Sequence, residues 1–250
     1  MSADMSHSVT PKIQVLPQPA DVAREAADLV VESCLAALEE KETFTLCLAG
    51  GSTPKATYEL LAGEAYKGKI DWARVEVFFG DERSVPPDHA DSNYAMAKAS
   101  LLEHVPIPGD NVYRMKGELD PEKAADEYEA MLRDKFEGDA GLDLLLLGMG
   151  DDAHTLSLFP HTSALKVTDR LCVANPVVSK DTTRITLTAA FANRSERVAA
   201  LVTGENKAKA LQNVLEGPDD PETYPTQLIA PTSGQFTILA DVAAVDMDEE

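Results

Sequence analysis

The stretch LLLLGMGDDAHTLSLFP, Leu144–Pro160, decides how the rest of the chain is read. Four consecutive leucines show no alternation of apolar and polar residues. A short apolar run of this kind, bounded by glycines, is the pattern of a buried strand. The strand is predicted over 142–147 and stops at Gly148-Met149-Gly150. Asp151, Asp152 and His154 follow at once, before the apolar pattern resumes. Polar residues in that position form either a solvated turn or the floor of a site.

Working outward, the same arrangement recurs. FTLCLA (44–49) reads as a strand and runs into Gly50-Gly51-Ser52-Thr53-Pro54, with a helix over 55–62. VEVFF (75–79) reads as a strand and runs into Gly80-Asp81-Glu82-Arg83. Helices are predicted over 21–40, 92–104, 121–136 and 206–215, and further strands over 171–174, 184–188, 197–203 and 236–239. Alternating strands and helices indicate an α/β fold, a doubly wound, mostly parallel open sheet flanked by helices and Rossmann-like. A small antiparallel addition is expected near 170–200. No repeat, low-complexity stretch or linker divides the chain, so one domain is expected over 13–243. Polar tails are expected at 1–12 and 244–250.

Composition bounds the function. The chain has 250 residues, 44% of them apolar, and a formal net charge of -21. Such acidity argues against nucleic acid and anionic membrane as partners. No apolar run approaches the about 18 residues needed to span a bilayer. An anionic substrate would require local cations. The three cysteines, Cys34, Cys47 and Cys172, are odd in number and form no C-x-x-C pair. They fit buried free thiols in a reducing compartment, and with no signal-peptide pattern a cytoplasmic location is expected.

Four clusters are chemically suggestive. Gly50–Pro54 lets the backbone approach an anion, with Ser52 and Thr53 hydroxyls as extra donors, or it is a tight capped turn. Asp81 could handle a proton, orient a hydroxyl or be structural, and Arg83 could hold an oxyanion. His154 is the side chain suited to take a proton near neutral pH, and Asp152 two residues before it can fix its tautomer. Ser157 is not in a nucleophile elbow, so a water activated by His154 is the economical reading, and the triplet matches no metal-ligand spacing. Arg184 and Lys207 stand at element ends and suit phosphate. His7, His89, His104, His161 and the single Trp72 lack such context.

Taken in order, AGGSTP, FFGDER, SNYAMA, LLGMGDDAHTLSLFP, RITLT and TGENKAKAL resemble the 6-phosphogluconolactonase family, part of a superfamily with glucosamine-6-phosphate deaminases, from about Val22 to Asp241. The family pattern G-x-G-x-D-G-H-T-x-S-L-F-P is met from Gly148 to Pro160, except that Ala153 stands where the family has Gly. If that position needs a positive φ, alanine there costs energy. The resemblance implies hydrolysis of 6-phospho-D-glucono-1,5-lactone in the oxidative pentose phosphate pathway, with no metal or organic cofactor. It implies that His154 activates water, Asp152 orients it, and Arg83 lies at the reacting end. The Gly50–Thr53 loop, Arg184 and Lys207 would bind phosphate. A monomer or weak homo-oligomer is expected. The nearest alternative is a deaminase on the same scaffold, but that family carries Asn-Glu-Pro where this chain has Ser157-Leu158-Phe159-Pro160. A non-catalytic sugar-phosphate sensor would keep the cations and lose His154.

Overall fold

The leucine run is buried on both sides because layers of helices cover both faces of the sheet. Residues 10–246 are described in the computed structural model. In chain order the main elements are β1 (Lys12–Leu16), α1 (Pro19–Glu40), β2 (Phe44–Leu48), α2 (Ser52–Ala62), β3 (Val75–Phe79) and β4 (Asp81–Arg83). Then come α3 (Asn93–Ala97), α4 (Pro121–Lys135), β5 (Leu144–Gly148), β6 (Cys172–Val177) and β7 (Thr182–Leu187). Last are α5 (Ala189–Ala192), β8 (Arg197–Val202), α6 (Ala208–Glu216), β9 (Gln235–Asp241) and α7 (Val242–Val245).

Six strands form one parallel sheet in the order β1-β9-β8-β5-β2-β3, and β4-β7-β6 form a small antiparallel sheet. Strand β5 therefore lies at the centre. Its Leu144 and Leu146 pack with Val30 of α1 and with Tyr58 and Leu61 of α2. Leu145 and Leu147 face the other way, with Leu132 of α4, Phe191 of α5 and Leu211 of α6. A strand sandwiched in this manner gains from apolar side chains at every position, which explains the unbroken run. Cys34, Cys47 and Cys172 are all free and buried. Burial raises the Cys34 thiol to about 11, well outside the reactive range.

Three local expectations need correction. The amino-terminal tail was drawn through residue 12, yet Lys12 begins β1, an edge strand in register with β9 from Lys12↔Thr237 to Leu16↔Asp241. Ile13 and Val15 remain 41% and 49% exposed, so the strand carries no buried-face pattern to read. At the other end, Ala244 is fully buried and Val245 closes α7, so these two residues belong to the fold rather than to a tail. Of the proposed tails, 1–9 and 247–250 lie outside the described residues. Finally, the charged Asp81–Arg83, whose composition suits a solvated loop and for which no strand is predicted, is a strand. Backbone pairing to β7 (Asp81↔Thr186, Glu82↔Ile185, Arg83↔Arg184) holds it despite its composition.

Parallel strands place their carboxyl ends on one edge, where ligands of such sheets bind. The segments after β2, β3, β5 and β8 meet there, which places the four polar clusters together.

Candidate active site

The turn after β5 is built to hold one imidazole. A Cβ on Gly150 would lie 2.0 Å from His154 Nδ1, so the ring occupies space that only glycine leaves free. The Gly150 N–H donates to the His154 carbonyl (2.8 Å), and Thr155 Oγ1 donates to the Gly148 carbonyl (2.8 Å). Asp152 Oδ1 accepts from the His154 backbone N–H (3.1 Å) and from its Nδ1 (2.5 Å). Burial alone would push the Asp152 carboxyl up, but the His154 hydrogen bond and charge outweigh it and hold it down at about 2. An ionised carboxylate only accepts, so Nδ1 carries the proton and Nε2 is left as the base. The ring stacks on Phe159, centroids 4.1 Å apart at 23°.

The backbone of this turn is strained, with positive φ at Ala153 (61°), Leu156 (53°) and His161 (59°). Ala153 therefore sits in the conformation that makes glycine the usual choice at this place. Its carbonyl accepts from Thr226 N–H (3.0 Å) and Oγ1 (2.7 Å), which fixes the strained peptide. Left-handed backbone costs an L-residue about 1–2 kcal/mol. Alanine offsets this by losing less backbone entropy than glycine, about 0.5–1 kcal/mol, and by a buried methyl worth about 0.8 kcal/mol. Ala153 is fully buried, so the methyl counts in full. Ala153→Gly is accordingly expected to shift unfolding free energy by less than about 1 kcal/mol and to leave activity intact. Urea denaturation of the two proteins checks this, and a larger shift of either sign would contradict the balance.

The cations come from different elements. Arg83 on β4 and Arg184 on β7 are directly opposed across the small sheet. Like charges in that register destabilise a strand pair. Burial, then the neighbouring Arg83, holds the Arg184 guanidinium below its usual value. Among the described residues Arg184 and Lys207 have no carboxylate within ion-pair distance, whereas Arg114, Arg133 and Arg170 all do. Gly51 precedes α2 with φ 110°, and no side chain caps that helix. Its first-turn N–H groups are thus left for an anion.

Gly50, Gly51, Asp81, Arg83, His154, Arg184 and Lys207 line one cleft of about 220 Å³. Three sequence candidates are not part of its wall. Asp152 acts behind His154, Ser52 opens α2 next to Gly51, and the Thr53 hydroxyl pairs with that of Thr203 at 2.7 Å. Ser157 is buried and its hydroxyl donates to Asp81, which leaves it no role as a nucleophile. Sequence reasoning missed Asn93, which enters the cleft beside Gly50, and Phe159 beneath the imidazole. The only signal for Asn93 was its place in the SNYAMA segment. Among the described residues no three His, Cys, Asp or Glu side chains are grouped to hold a metal ion, and no helix is long and apolar enough to cross a membrane.

Comparison with known proteins identifies the family. Residues 17–238 match the family described as glucosamine-6-phosphate isomerases/6-phosphogluconolactonase. A 6-phosphogluconolactonase of Nostoc sp. is 41% identical over 238 residues, covering 93% of this chain and 96% of that protein. One from Synechocystis sp. is 40% identical, covering 94% and 98%. The solved structure of 6-phosphogluconolactonase from Trypanosoma brucei superposes with a TM-score of 0.83 at 29% identity, covering 95% of this chain and 98% of that one.

Proposed function

The chain belongs to the glucosamine-6-phosphate isomerase/6-phosphogluconolactonase family, and on that premise we propose that it hydrolyses 6-phospho-D-glucono-1,5-lactone to 6-phosphogluconate in the oxidative pentose phosphate pathway. The observation that carries this reading is the Asp152–His154 pair opening into the same cleft as Arg83, Arg184 and Lys207. His154 Nε2 takes a proton from water as the water attacks the lactone carbonyl. Asp152 holds the Nδ1 proton and favours the imidazolium that forms. Arg83 stabilises the charge developing on the carbonyl oxygen. The protonated imidazole then returns its proton to the ring oxygen as the ester bond breaks. The backbone at Gly50–Thr53, with Arg184 and Lys207, holds the phosphate and so presents the carbonyl to the base.

A lactone is an activated ester, so positioning, one base and one oxyanion partner suffice, without metal, organic cofactor or covalent serine. The reading places the protein in the cytoplasm as a monomer or weak homo-oligomer. The free cations answer the puzzle of an acidic protein with an anionic substrate. The direct test is loss of freshly generated lactone in the presence of purified protein, against the spontaneous rate. A rate no faster than buffer would reject the reading and make ammonia release from glucosamine 6-phosphate the next assay.

The phosphate assignment has its own test. Arg184→Ala should raise KM roughly 10- to 100-fold, the worth of a charge-assisted hydrogen bond, with a smaller effect on kcat. Because Arg184 opposes Arg83, its removal should not lower thermal stability. Unchanged KM, or a loss of stability in step with activity, would contradict the role.

A further inference from the structure

We infer that Asp81 is a positioning residue: its carboxylate brackets the loop that carries His154 to the loop that carries Gly50, through Ser157 on one oxygen and Asn93 on the other. The inference rests on the reading of His154 as base and adds what holds that base in register. Asp81 Oδ2 accepts from Ser157 Oγ at 2.5 Å, and Oδ1 accepts from Asn93 Nδ2 at 3.0 Å. The Asp81 carbonyl also accepts from Asn93 Nδ2, at 2.9 Å. An amide nitrogen has only protons to give, so Oδ1 is committed as an acceptor. With Oδ2 engaged as well, the carboxylate has a structural occupation on each oxygen.

Each arm reaches a place where a small displacement matters. Ser157 lies three residues after His154 and is pinned at every polar atom. Its N–H donates to Thr186 Oγ1 (3.1 Å) and its carbonyl accepts from Asn175 Nδ2 (2.9 Å). The hydroxyl bond to Asp81 is thus a polar link between the β5 loop and the segment that follows β3. Leu156, just before it, packs so closely on Gly80 that a Cβ there would lie 2.7 Å from Leu156 Cδ2. On the other arm, Asn93 presses on Gly50, where a Cβ would come within 2.1 Å of Asn93 Oδ1. Gly50 belongs to the loop assigned to phosphate. One carboxylate therefore sets the separation between the base and the anchor for the far end of the substrate. A misplacement of about 1 Å in such a pair can cost about 10²-fold in rate.

Asparagine distinguishes this role from proton transfer. In Asp81→Asn the amide oxygen can still accept from Asn93, and its NH₂ can donate to Ser157 Oγ, which accepts once its own proton rotates away. The bracket survives although no ionisable group remains. Asp81→Asn is expected to keep kcat within about tenfold of the wild type, with the shape of the kcat/KM pH profile unchanged. Asp81→Ala should lower kcat by about 10²-fold. Ser157→Ala should lower it in the same direction, and the double variant should fall no further than Asp81→Ala, because the Ser157 link is already cut there. Backbone hydrogen exchange over 150–159 should speed up in Asp81→Ala and Ser157→Ala but not in Asp81→Asn. If Asp81→Ala fails to fold, the other two variants carry the test.

Asp81→Asn as inactive as His154→Ala, or lacking a titration seen in the wild type, would overturn the proposal and make Asp81 a proton carrier. Unchanged exchange in Asp81→Ala and Ser157→Ala would overturn it from the structural side. The exchange measurement does not depend on chemistry. Full activity in His154→Ala would therefore reject the base assignment, while the exchange result alone would decide whether the bracket exists.

Discussion

Replacing His154 with alanine is expected to lower kcat by about 10²- to 10⁴-fold, the usual worth of a general base, while KM changes little. The separation follows from the geometry. The cations and the Gly50–Gly51 backbone that would hold the phosphate remain in place, whereas Nε2, the one imidazole nitrogen not engaged by Asp152, is lost. Initial rates of lactone loss, corrected for spontaneous hydrolysis, measure the effect, and a variant with undiminished kcat would remove the base from the mechanism. The pH profile adds a second check. Asp152 is held at about 2, so it stays ionised across the working range. Any fall of kcat/KM on the acid side above pH 4 then does not belong to Asp152. The stability linkage has the sign of a depressed carboxyl. It is complete above the unfolded value of 3.8 and is lost as pH falls through about 2. Asp152→Asn should therefore flatten the acid arm of the stability curve between these values.

The architecture was legible because parallel strands covered on both faces must be apolar throughout. β5 therefore announces itself as an unbroken run, and β2 and β3 as runs interrupted once, by Thr45 and by Glu76, each followed by small and polar residues. Strand β1 failed that test for a physical reason: it lies on the sheet edge and leaves Ile13 and Val15 half exposed, so burial placed little constraint on its composition. Strand β4 failed for another, since it is three charged residues held by backbone pairing that no local propensity records. The site divides along the same line. His154, Asp152, Arg83, Arg184 and Lys207 were readable because their chemistry is intrinsic to the side chain and each follows or begins a strand predicted from the sequence, although Arg184 lies inside β7 rather than at its start. Asn93 and Ser157 were not, because what makes them part of the site is a shared contact with Asp81 across 12 and 76 residues of chain. The strain at Ala153 was legible only as a condition, a departure whose cost depended on a φ angle that the structure places at 61°.

Glu82, the one charged residue of the GDER segment to which sequence reading gave no task, is expected to be the most costly of the cluster to remove. It is 2% exposed, and its carboxylate accepts from four donors: the N–H groups of Arg83 (2.8 Å), Asn93 (2.7 Å) and Tyr94 (2.8 Å), and Ser92 Oγ (2.9 Å). Three of these lie at the start of α3, where a negative charge also meets the helix dipole. Burial pushes the Glu82 carboxyl above its usual range even though all four hydrogen bonds pull it down. The acceptor is therefore held at a desolvation cost that its partners only partly offset. Glu82→Ala would remove that cost but leave three N–H groups, that of Asn93 buried and those of Arg83 and Tyr94 partly so, and a buried hydroxyl without this acceptor, beside a void. A loss of about 3–5 kcal/mol is expected, a large part of the 5–15 kcal/mol typical of a whole domain. Glu82→Gln keeps the shape and one acceptor oxygen while turning an NH₂ toward donors, so a smaller loss of about 1–3 kcal/mol is expected. Urea denaturation of both variants gives the comparison. The same contacts fix Arg83 and Asn93 in the cleft, so the folded fraction of each variant should also lose kcat/KM. Equal stability of the alanine and wild-type proteins would show that water replaces the carboxylate at the start of α3, and would take from Glu82 the role of holding the β4 end of the site to that helix.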